Sequence, residues 1–272
     1  MKFSERMGFV KVSDIFQIDS MSQDLRNRIY NFIEEIYRLH DHRTTVHKMI
    51  HCEFYKLPHN LFQNCGLLVM SGSFDDSFNQ SEWYQIYDLL EYIINLYKKS
   101  DFAGYVNYTK DQFITEINLI LKEERSGYRI IDNLVTPIID NNEIASIEEA
   151  INQQDNASIH LKTALQHLSN KQNPDYRNSI KESISAVEFV IRTITKESTL
   201  GKGLNKIQAK IHLPTVLKDG FEKIYAYTNS EEGIRHALME EPNLKLEDAK
   251  FMLVSCSAFT NYLKSKHLAA SI

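Results

Sequence analysis

Arg235 and His236 stand side by side in Gly233–Ile234–Arg235–His236–Ala237–Leu238, and no other neighbours in the chain are better equipped for chemistry. A guanidinium carries a permanent charge and a fixed fork of donors that suits a phosphate, while an imidazole exchanges protons near neutral pH. Together they supply what cleavage of a phosphodiester without a metal ion needs. Two further groupings could act. Lys202, Lys206 and Lys210 recur every four residues, so they share one helical face and could track a phosphate backbone. His40, His42, His47 and His51 form a run in which His47 and His51 have the one-turn spacing of helical zinc ligands, with Asp41 or Glu53 as the candidate carboxylate. No glutamate follows His47 directly, so this is not the metalloprotease pattern. A polar surface cluster is the plainer reading, and the expectation is a chain with no resident metal and no cofactor.

Helices must position these groups. Among 272 residues there are only nine glycines and five prolines, with 43% hydrophobic and 25% charged residues, which favours long helices in a soluble, all-α protein. Asp19–Ser20 and Met21–Ser22 precede an amphipathic helix to about Leu39, with Leu25, Ile29, Phe32, Ile33 and Ile36 at helical spacing. Residues 44–56 predict a second helix, Leu61–Met70 a short apolar stretch and Gly72–Ser77 a loop. The strongest periodicity lies in Ser81–Lys99, and Thr109 caps a helix over Lys110–Arg125. Tyr128–Ile131 and Leu134–Ile139, joined by Asp132–Asn133, predict a small β-hairpin within 128–139. Helices follow at about 142–153, 157–170 and 174–196. Others are expected from Gly201, from Leu213–Pro214, over Ser230–Met239 and over 246–265. Short connections among the later helices imply an antiparallel bundle. Gln154–Asp155–Asn156 divides the chain into two helical domains, 1–155 and 156–272.

Charge divides with it. From Asn156 onward there are sixteen Lys or Arg against twelve Asp or Glu, and fifteen against twenty-four before it. A polyanionic partner therefore belongs on the C-terminal half. In the long helix Asn178, Ser185 and Arg192 lie seven residues apart, a polar stripe that could line a cleft, a dimer interface or simply solvent. Gly201-x-Gly203 is too short to cradle a phosphate. Cys52, Cys65 and Cys256 lack any ligand spacing and suit reduced thiols. With neither a leader-like N-terminus nor a membrane-length apolar run, a cytoplasmic protein away from membranes is expected.

The start of the chain, Met1–Lys2–Phe3–Ser4–Glu5–Arg6–Met7–Gly8–Phe9, with Ile18–Asp19–Ser20–Met21 and Asp24–Leu25–Arg26–Asn27, resembles the N-terminal domain of AbiJ-type abortive-infection proteins. The run from Pro174 to Glu188, then Gly233–Ile234–Arg235–His236–Ala237 and Glu247–Asp248–Ala249–Lys250, resembles a HEPN domain. That resemblance implies a helical bundle acting as a homodimeric, metal-independent endoribonuclease. The chain would then be a toxin of antiviral defence, released by a phage-derived trigger or held by a cognate regulator. The implied catalytic residues are Arg235 and His236, with Asn178 and Glu182 from the facing helix, and Lys202, Lys206 and Lys210 as RNA-binding guides. HEPN nucleases separate the arginine and a histidine by four to six residues, and the positions four to seven beyond Arg235 hold Met239, Glu240, Glu241 and Pro242. Neighbours on a helix point about 100° apart, so Arg235 and His236 would have to converge across a dimer axis. The alternative is a non-catalytic dimerisation, RNA-binding or regulatory module.

Overall fold

The structure, a computed structural model, describes residues 16–37, 40–58, 72–170, 174–229 and 244–270, with Phe3 and Met7. The described residues form twelve α-helices and one two-stranded hairpin, an all-α fold. They pack as two compact units, 1–137 and 138–272.

In the first unit, α1 (Gln23–Glu35) starts where the Ser22 hydroxyl accepts the Leu25 N–H at 3.2 Å, and buries Leu25, Ile29, Phe32 and Ile33. Helix α2 (His40–Met49) runs straight into a π-helical turn, Ile50–Phe54. Helix α3 (Gly72–Gln80) replaces the loop expected over Gly72–Ser77. Its Gly, Ser and Asp residues look turn-like, but Phe74 and Phe78 stand one turn apart, and only a helix buries both (1% and 0% exposed) on one face. Helix α4 (Trp83–Leu96) carries the widest apolar face, and the short α5 is Phe102–Tyr105. Helix α6 (Lys110–Glu123) opens with a reciprocal Thr109–Gln112 capping box.

The hairpin pairs β1 (Arg129–Ile131) with β2 (Leu134–Thr136), antiparallel. Asp132 and Asn133 both take positive φ, 46° and 70°, which a primed two-residue turn demands and Asp and Asn tolerate. Backbone groups that the two strands leave unpaired are matched by side chains: Asn118 of α6 both donates to and accepts from Ile130, at 2.9 and 2.8 Å, and Glu91 of α4 accepts the Val135 N–H at 2.7 Å.

The second unit comprises α7 (Asn141–Ile151), α8 (Asn156–Ser169), α9 (Tyr176–Thr195), α10 (Leu200–Ile211), α11 (Thr215–Asn229) and α12 (Leu246–Ala270). Helix α9 is central and packs on α8, α10, α11 and α12. Small residues let it approach closely. The Ser179 hydroxyl donates to the Ala164 carbonyl of α8 at 2.8 Å, and a Cβ on Gly203 would lie 2.3 Å from Ile191 Cγ2. Gly203, in the first turn of α10, thus also serves the α9–α10 contact. Although the sequence turn falls near 155, α7 packs within the second unit, against α12 and α8. The expected stretches Leu61–Met70 and Ser230–Met239 lie outside the described residues.

Candidate functional site

Helices α8 and α9 run antiparallel, and their shared rim collects two imidazoles and two carboxylates. On α8, His160 and His167 are seven residues apart and so face the same way; on α9, Asp175 and Glu182 repeat that spacing. The opposing registers pair His160 with Glu182 and His167 with Asp175, about 10 Å apart along the helices.

The two pairs differ. Glu182 Oε2 lies 2.6 Å from His160 Nδ1, a short charge-assisted contact, with 37% of the imidazole side chain exposed. Asp175 lies 3.9 Å from His167 Nδ1 and is already committed as the N-cap of α9. It accepts the Asn178 N–H at 3.0 Å and the Asn178 side-chain amide at 2.6 Å. Burial alone would raise its carboxyl, but these bonds, with His167 and Arg177 nearby, hold it below the usual carboxylate range. Asn178 therefore works on the cap, whereas Glu182 works on an imidazole. Of the rest of the polar stripe, the Ser185 hydroxyl donates to the Lys181 carbonyl of its own helix and Arg192 is exposed.

Arg192 borders a cavity of about 150 Å³ shared with Glu188, Glu197, Ser198, Thr199 and Tyr225. The lysine row runs beside it and is divided. Lys202 is exposed, Lys206 is 2.6 Å from Glu197, and Lys210 donates at 2.9 Å to the Ile194 carbonyl near the C-terminus of α9. Lys206 holds the Glu197 carboxyl below its ordinary range. Arg235 and His236 lie outside the described residues.

In the first unit, His47 and His51 turn to different partners. His47 Nε2 is 2.8 Å from Glu34 Oε1, while His51 Nε2 is 3.2 Å from the Pro58 carbonyl. Arg43, one turn before His47, reaches the other Glu34 oxygen at 2.6 Å. Glu53 goes instead to Lys99 and Tyr92. Among the described residues no group of three or more His, Cys, Asp or Glu could hold a metal ion.

Sequence reading missed His160. Its signal was a matched seven-residue repeat on both helices of one hairpin, which the local pattern of either helix alone does not reveal.

Residues 1–153, more than half of the chain, match the family described as AbiJ N-terminal domain 4. No curated protein and no solved structure matches the chain. Among the described residues, no helix is long and apolar enough to cross a membrane.

Proposed function

The chain belongs to the AbiJ N-terminal domain 4 family, an abortive-infection affiliation from which we propose an antiphage effector whose C-terminal helical unit cuts RNA without a metal ion. The observation that carries this reading is the joining of that N-terminal domain to a helical unit that packs as a compact body of its own. The N-terminal domain senses a trigger or restrains the bundle. In a cytoplasmic homodimer, Arg235 holds the phosphoryl oxygens, His236 approaches from the second copy, and Lys202 guides the backbone.

Incubating the purified full chain with total RNA in chelator tests this. Fragments ending in 2′,3′-cyclic phosphate are expected. A protein that protects cells yet leaves RNA intact would overturn the nuclease assignment. A second reading, RNA binding or dimerisation without cleavage, draws on Met239, Glu240, Glu241 and Pro242 standing where a HEPN histidine belongs. Retention of RNA with no new ends favours it.

A further inference from the structure

We propose that His160 is a second proton-transferring imidazole of the C-terminal unit, in addition to His236, and that Glu182 positions it, an inference that rests on the ribonuclease reading above. Three observations lead here. The first is tautomer control. With Glu182 Oε2 2.6 Å from Nδ1, the ring proton belongs on Nδ1, and Nε2 on the far side of the ring keeps its lone pair. The second is access: the His160 side chain is 37% exposed, against 3% for His47. The third is that its neighbours are occupied. Thr163 and Ser185 donate to their own helices' carbonyls, Asn178 serves the cap, and Asp175 anchors α9 and stands 3.9 Å from His167. His160 joins a partly exposed ring to a carboxylate 2.6 Å away, whereas His47 is enclosed and His167 stands 3.9 Å from its carboxylate.

An imidazole oriented in this way suits a chain that has no histidine at the spacing expected after Arg235. His160 Nε2 takes the proton of a ribose 2′-hydroxyl, the O2′–P bond forms and the P–O5′ bond breaks. The departing O5′ takes a proton from water, and the imidazolium returns its own proton to the hydroxide left behind. The products are a 2′,3′-cyclic phosphate and a 5′-hydroxyl, with no oxidant, reductant or metal. Glu182 steadies the imidazolium through the Nδ1–H bond.

The test compares cleavage of one RNA by the full chain and its variants in chelator, from pH 5 to pH 9. His160→Gln should lower kcat on the order of 100-fold, the scale of a lost general base. His160→Ala should regain cleavage when free imidazole is added, which a purely structural residue would not allow. Glu182→Gln, which can still accept the Nδ1–H bond but lacks the charge, should lose about tenfold and change the acid limb of the pH profile, with Glu182→Asp recovering part of the rate. Should His160→Gln fail to fold, the Glu182→Gln profile decides. Wild-type rates and profiles in both variants overturn the dyad and leave the ribonuclease reading standing. A wild-type chain that never cleaves overturns both.

Discussion

In the first unit an imidazole, His47, meets Glu34 at 2.8 Å with 3% of its side chain exposed; in the second, His160 meets Glu182 at 2.6 Å with 37% exposed. The groups and the separation are nearly alike, but the surroundings are not. Around His47, Phe74 stacks at 4.5 Å and Tyr37 meets the ring edge-on at 5.4 Å, while Arg43 takes the second Glu34 oxygen. Burial, with the Glu34 charge beside it, holds the Tyr37 hydroxyl well above the usual phenol range. No substrate could reach such a ring, and the cluster ties α1 to α2. The rim pair on α8 and α9 has water on one side, so it adds little to stability and keeps a nitrogen available. Solvation, more than residue identity, separates a structural histidine from a chemical one.

The largest effect should come from the buried centre. Glu34→Ala leaves the Arg43 guanidinium, 31% exposed, without its carboxylate and removes the charge 2.8 Å from the buried His47 ring. Removing one partner of a fully buried ion pair costs about 3 kcal/mol, and with Arg43 and Glu34 partly solvated and only His47 enclosed the loss here should be about 2 kcal/mol. Trp83, the sole tryptophan, sits at the start of α4 in the first unit, so urea unfolding followed by its fluorescence reads this region. A loss below about 1 kcal/mol would mean that water compensates Glu34 as it does Glu182, and the contrast would disappear.

Most of this architecture is legible in the sequence because it is local. Apolar spacing marks α1, α4, α6 and α9, Thr109 and Gln112 announce a capping box, and Asp132–Asn133 supply the positive φ of the hairpin. Where composition and spacing disagree, composition misleads: Gly72, Ser73, Asp75, Asp76 and Ser77 suggest a loop, but the burial of Phe74 and Phe78 prevails in α3. The sites were less legible. Glu182 stands out as a polar residue on a core helix, yet its partner lies 22 residues earlier and is fixed by the α8–α9 register. Glu34 likewise gathers Arg43 and His47 from the next helix, so reading His47 with His51 followed the right spacing to the wrong companion.

An intermediate effect belongs to Asp175, which shares the rim with Glu182 but serves the backbone. Asp175→Ala removes the N-cap of α9 and should destabilise the second unit by about 1 kcal/mol, measured by urea unfolding monitored by helical circular dichroism. Asp175→Asn keeps a capping oxygen and loses only the charge, so it should cost less. The folded carboxyl titrates below its unfolded value, so its electrostatic contribution is complete above about pH 4 and fades as pH falls through the lower, folded value. The gap between wild type and Asp175→Asn should accordingly be widest near neutrality and close in acid. A gap that widens in acid would reverse the assigned direction.

The smallest stability change should accompany the substitution expected to matter for catalysis. Glu182→Gln preserves an acceptor for His160 Nδ1–H and deletes one charge from a pair whose side chains are 24% and 37% exposed. Water rehydrates both groups and their ordering entropy is recovered, so the loss should stay within about 0.5 kcal/mol. Salt should shrink even that: in about 1 M NaCl, where the screening length falls to roughly 3 Å, wild type and variant should unfold at more nearly the same urea concentration. A loss near 2 kcal/mol that persists in salt would place Glu182 beside Glu34, as a strut between helices, and His160 would then have no better claim to proton transfer than His47. Stability nearly unchanged with cleavage reduced is the combination that only a positioned, solvent-facing imidazole produces.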